Sequence, residues 1–105
     1  MPVIRANQGI ITQINVFTVE PHNQQPLIDL LAESARTVQD IPGWISASVH
    51  RSLDGTRVVN YAQSLNMESA QAVIEKLRSE GYLDRNKELG IASPGLYEVA
   101  FTLES

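Results

Sequence analysis

At 105 residues the chain has the length of one ordinary domain, and with 43 % hydrophobic and 19 % charged residues its composition is that of a globular protein. Twelve acidic residues against eight basic ones give a net charge of −4. No Lys/Arg cluster overrides that field, so neither nucleic acid nor an anionic membrane surface is an expected partner. Cysteine is absent, which excludes disulfides, thiolate catalysis and thiolate metal sites.

The first apolar run, Gly9 to Val19, is interrupted by Thr12, Gln13, Asn15 and Thr18 and follows no charged, cleavable leader. It reads neither as a signal peptide nor as a membrane span, and a cytoplasmic protein is expected. Residues 10–19 are rich in β-branched side chains and form the first expected strand, ended by Glu20-Pro21. From Asn23 the period changes. Leu27, Leu30, Leu31, Ser34 and Val38 recur at spacings of three and four and predict one helical stripe. Asn23 is the expected N-cap, Pro26 is tolerated in the first turn, and the helix should stop by Asp40, ahead of Pro42-Gly43.

Residues 44–51 and 57–64 predict a hairpin around Asp54-Gly55, residues that tolerate positive φ. Asn66 caps a second expected helix, whose buried stripe is Ala70, Val73, Ile74 and Leu77 and whose stop is Gly81. A short helix over 83–89 and a last strand over 96–103 complete the chain. Strand, helix, hairpin, helix, strand is the order of the ferredoxin-like β-α-β-β-α-β fold, an α+β class with both long helices on one face of an antiparallel sheet. One domain over residues 1–105 is expected.

A chain of this size buries roughly two-thirds of its unfolded surface, so a pocket has to come from one end of the core or from a partner subunit. In the third strand Val58, Asn60, Ala62 and Ser64 share one face, and Val59, Tyr61, Gln63 and Leu65 share the other. Apolar or aromatic residues stand on both. In the last expected strand Tyr97, Val99, Phe101 and Leu103 make one strongly apolar face. A second copy covering the open sheet face is the economical arrangement, and a homodimer is expected.

Pro42-Gly43-Trp44, the run Asp54-Gly55-Thr56-Arg57-Val58-Val59-Asn60-Tyr61-Ala62-Gln63, and the opening Asn15-Val16-Phe17-Thr18-Val19-Glu20-Pro21 with its Gln-rich helix start together resemble the antibiotic biosynthesis monooxygenase family. The likeness covers most of residues 13–75. It implies a dimeric α+β barrel and, by the known members, a cofactor-free oxygenase that takes a small aromatic phenol or anthrone-like substrate and O2. Triplet oxygen reacts slowly with closed-shell molecules, but a deprotonated, electron-rich ring can itself donate the electron. The protein then supplies a dry pocket, hydrogen-bond donors where charge develops, and a route for the substrate proton.

Carried over residue by residue, the resemblance makes Asn60 the principal donor to a substrate oxygen and assigns His50 a role as base or donor, since its ordinary pKa is near neutrality. A buried amide bonded to a neighbour or to water, and a solvated strand histidine, are the plain structural alternatives. Ser64 occupies the place of the family's Trp, and Ala70 and Val73 stand where active members carry an aromatic residue in the second helix. Two substrate contacts are therefore missing. Arg85 falls about where an active member carries an arginine beside its pocket. Trp44 is expected in the core or at the pocket mouth, and Tyr61 at the dimer interface.

His22 and His50 form no recognisable metal set, and no H-E-x-x-H, G-x-G-x-x-G, P-loop or G-x-S-x-G run occurs. Haem-degrading relatives of the fold use a histidine in the second helix, which this chain lacks. No cofactor and no metal are expected. Besides the oxygenase, two other functions fit: a non-catalytic small-molecule binding or sensing domain, and an aldehyde- or quinone-handling enzyme on the same fold.

Overall fold

The structure, a computed structural model, describes Ile4 and residues 9–105. The chain runs through β1 (Ile11–Val19), a 3-10 turn (Pro21–Asn23), α1 (Gln24–Val38), β2 (Trp44–Arg51), β3 (Arg57–Ser64), α2 (Met67–Ser79), α3 (Tyr82–Leu89) and β4 (Gly90–Glu98). The strands form one antiparallel sheet in the order β2-β3-β1-β4. This is the ferredoxin-like α+β architecture, with α1 and α2 packed on one face. Among the described residues no helix is long and apolar enough to cross a membrane.

The five residues of the expected stripe on α1 are its buried residues: Leu27, Leu30, Leu31, Ser34 and Val38. Leu27 and Leu31 meet Phe17, Val19 and Val58 from the sheet in the central apolar cluster. Residues i, i+4 and i, i+3 lie one above the other on a helix, so this spacing delivers them to one surface.

Asn23 flanks α1 as expected but makes no side-chain cap hydrogen bond, because the chain enters the helix through the 3-10 turn with Asn23 itself at φ −96°, ψ −5°. The first residue of the helix is anchored differently. The Gln24 amide donates to the carbonyls of Ser52 and Arg57, 3.1 Å each, and fastens the β2–β3 loop to α1. Within that loop the Asp54 carboxylate accepts from the Thr56 hydroxyl (2.7 Å), the Thr56 N–H (3.0 Å) and the Ser52 hydroxyl (2.8 Å). These bonds to its charged form hold the Asp54 pKa down at about 2.

Asn66 does cap α2, accepting the Ser69 N–H at 2.8 Å. The close seat of the α2 start against β2 depends on Gly43, whose φ is +90°. A Cβ there would stand 1.9 Å from the Ser69 hydroxyl oxygen, and the Gly43 carbonyl accepts the Leu65 N–H at 2.7 Å.

The last strand departs from expectation. It spans Gly90–Glu98, paired with β1 from Val19↔Gly90 to Ile11↔Glu98, and not 96–103. Ser93-Pro94-Gly95 reads as a loop in sequence. At a sheet edge, however, a proline N has no ladder bond to lose, and β4 is an edge strand. Asn15 compensates locally, its side-chain oxygen accepting the Ser93 N–H at 3.1 Å. Of the apolar alternation expected in this strand only Tyr97 lies within it. Phe101 and Leu103 follow it, 75 % and 84 % exposed, in a segment without regular structure.

Candidate functional site

Strand alternation divides the side chains between the two sheet faces, and a β-bulge modifies that division. Register shifts between Trp44 and Ser46, so that one extra residue, Ile45, opposes β3. As a result Trp44 and Ala47 both face the helices, where regular alternation would have placed them on opposite sides. Asn60 and Ala62 on β3 and Gln13 on β1 point the same way.

These residues enclose a small cavity beneath the helices, closed by Leu31, Ser34, Ala35 and Val38 from α1 and by Val73 and Leu77 from α2. Its free volume is about 20 Å³, enough for a water molecule and far below the roughly 300–1,000 Å³ of ordinary ligand pockets. The walls are mostly aliphatic, with one indole. Ser34 already donates its hydroxyl to the Leu30 carbonyl at 2.9 Å, which leaves the amides of Asn60 and Gln13, with the indole N–H of Trp44, as the polar groups of the lining. No ionisable side chain among the described residues lines it. The arrangement can hold a developing oxyanion by amide hydrogen bonds in an apolar setting, and it offers no side chain as a proton acceptor.

The structure brings two of the five expected site residues, Asn60 and Trp44, to this cavity. Ser64 lies on the same face and is buried, one turn of the alternation beyond Ala62, outside the cavity lining. His50 is not brought there. It pairs with Val59 on the open side of the sheet, is exposed, and shares a 3.0 Å hydrogen bond with the Ser48 hydroxyl. The bulge is the cause, since unbroken alternation from Trp44 would have carried His50 to the Asn60 face. Arg85 is also elsewhere. It packs its guanidinium over the Tyr82 ring (5.3 Å) and pairs with Glu33 at 3.3 Å, in an outer groove between α1 and α3. There the Tyr82 hydroxyl donates to Glu33 at 2.8 Å and, with Arg85, lowers the Glu33 pKa.

Two residues near the site escaped the sequence reading. Gln13 was noted only as an interruption of an apolar run. Asn15 is the direct cross-strand partner of Asn60. The available signal was a polar amide at mid-strand on the parity of Phe17, a core residue.

Fold and site together define a ferredoxin-like α+β protein with an apolar, amide-bearing cavity between sheet and helices. The model of the antibiotic biosynthesis monooxygenase family matches residues 10–73. The tetracenomycin-F1 monooxygenase of Streptomyces glaucescens is 32 % identical over 100 residues, covering 94 % of this chain and 89 % of that protein. The chain therefore belongs to the antibiotic biosynthesis monooxygenase family. Among solved structures, the same fold is seen in SnoaB, a cofactor-independent oxygenase from Streptomyces nogalater, at 20 % identity and TM-score 0.79 over 92 % of this chain and 99 % of that one. It is seen again in the ActVA-Orf6 monooxygenase of Streptomyces coelicolor, solved with the ligand nanaomycin D, at 24 % identity and TM-score 0.80 over 93 % and 94 %.

Proposed function

We propose that this chain is a cofactor-independent monooxygenase that oxidises an aromatic, phenolic or quinol-type small molecule with O2. The observation that carries this is the cavity lining: aliphatic walls, with two carboxamides and one indole N–H as the polar groups. Asn60 donates to the substrate oxygen on which negative charge accumulates as the ring loses its proton. With no ionisable side chain among the described residues of the lining, that proton leaves by the substrate's own acidity, to water. The electron-rich ring then reduces O2 directly. For an anthrone-type methylene the balance closes without an added reductant: CH2 and O2 give C=O and H2O.

The curated relative and the two oxygenases of the same fold support this reading. A homodimer belongs to it. The open sheet face carries the half-buried side chains of Ile14, Val16, Val59 and Tyr61, an apolar strip that a second copy would cover. A non-catalytic binding or sensing domain is the second reading, favoured by the small cavity and by Ser64 in place of the family's Trp.

Oxygen uptake by chelator-treated protein, with a panel of anthrones and hydroquinones beside Asn60→Ala, tests the proposal. Uptake that collapses in the variant supports it. Tight binding of the same compounds without uptake above the buffer rate replaces it with the binding domain.

A further inference from the structure

A second space lies beside the cavity, an open cleft of about 220 Å³ between α2 and the edge strand β4, lined by Ile74, Pro94, Gly95, Leu96 and Gln13. Among the described residues, Gln13 is the one common to both linings. Its place in the sheet explains this, because its Cα partners are Ala62 on the cavity side and Leu96 on the cleft side. Overhead the division falls between consecutive residues of α2, with Val73 over the cavity and Ile74 over the cleft. One half-buried, unbranched side chain thus stands between a water-sized chamber and a space open to solvent.

We infer that Gln13 is the gate of this site, closing the inner cavity as seen here and swinging aside to join cavity and cleft into one slot for a flat polycyclic phenol. The inference rests on the proposed ring-binding function and adds the route and the residue that controls it. The inner cavity admits no aromatic ring at about 20 Å³, so some wall must move. Helix α1 is pinned by the central cluster and by Gln24, and the sheet by its ladders. Gln13 needs only side-chain rotations, which cost little and are fast. Opened, the slot runs from Leu96 past Asn60 to Trp44.

Trp44 is the sole tryptophan and faces the inner cavity, so its fluorescence reports arrival there. The test is stopped-flow binding of 1,8-dihydroxyanthraquinone, a flat tricycle that does not turn over, to wild type, Gln13→Ala and Gln13→Phe. A gate changes the on-rate and off-rate together. The expected result is both rates up about tenfold in Gln13→Ala and both down about tenfold in Gln13→Phe, with Kd nearly constant. On-rates unaltered in both variants, or a change confined to the off-rate, overturn the gate and leave the ring-binding site standing. Absence of wild-type binding instead counts against the ring-binding function. The gate is then decided without ligand, by acrylamide quenching of Trp44: a severalfold higher quenching constant in Gln13→Ala sustains it, and equal constants in all three proteins overturn it.

Discussion

Asn15 and Asn60 stand directly opposite each other on β1 and β3, on the sheet face that the helices cover. They are not equivalent. Asn15 has its oxygen committed to the Ser93 N–H of β4, while Asn60 lines the cavity. One amide ties the edge strand to the sheet, and the other is placed to meet a ligand.

Asn60→Ala should therefore lower turnover of an active anthrone by ~100- to 1,000-fold, the usual loss when one oxyanion donor is removed. Thermal stability should barely move. Asn15→Ala should show the reverse emphasis, faster hydrogen exchange along β4 and a smaller kinetic loss. Oxygen uptake and exchange mass spectrometry on the two variants check both.

The pH dependence of turnover should follow the acidity of the substrate, not of a protein side chain, because no ionisable group among the described residues lines the cavity. Rate should rise through the substrate's own pKa, and profiles for two anthrones of different acidity should be displaced accordingly. His50→Ala, on the far face, should leave the profile unchanged. A profile fixed near neutrality for both substrates and abolished in that variant would return His50 to the mechanism.

Acid should act on the β2–β3 loop. The Asp54 carboxyl has its pKa lowered from 3.8 to about 2, chiefly by the Thr56 hydroxyl. A group held ionised in the folded state contributes stability above its unfolded pKa and loses it as pH falls through the folded one. The loop's contribution should thus be complete above pH 3.8 and fade toward 2. Asp54→Ala should unfold at a lower temperature than wild type at pH 6, and the two should converge as the pH approaches 2.

Gly43→Ala should cost about 2–4 kcal/mol, from the positive φ and the collision with Ser69 together. Ser69→Gly in that background removes the obstructing side chain and should recover part of the loss, leaving the backbone strain. Urea unfolding of the single and double variants measures both parts.

Ser64→Trp tests the indole that the family resemblance implies at this position. Ser64 is buried just past the cavity on the same face, so a large ring there must displace its neighbours. Higher turnover after that replacement would mark a weakened oxygenase site, whereas slower ligand entry without turnover would mark a binding domain.

Much of the fold was legible because it follows from periodicity. The α1 stripe, the Asn66 cap and the parity of Asn60 each express local geometry that a sequence states outright. What was not legible depends on neighbours. The strand character of Ser93-Pro94-Gly95 comes from lying at a sheet edge beside Asn15, a tertiary fact. His50 was carried over by resemblance, and its place on the open face follows from the bulge at Ile45, which leaves no composition signal. Its evidence is the pairing of β2 with β3. Arg85 lies away from the cavity for a similarly tertiary reason: only the meeting of α3 with Glu33 and Tyr82 shows where its charge is spent.

The Ile45 bulge makes the site tolerant of a deletion at one codon of β2 and intolerant of it at the codons that follow. Removing Ile45 would restore simple alternation with Trp44, Ser46 and Ala47 still opposite Ser64, Gln63 and Ala62, so every side chain of β2 would keep its face. Removing Ser48 instead would carry His50 into the helix-covered layer as Val49 left it. A protein line that drifts by point mutation, or by loss of the Ile45 codon, keeps the cavity's outline, whereas a loss of three nucleotides farther along β2 would reassign what the cavity is made of.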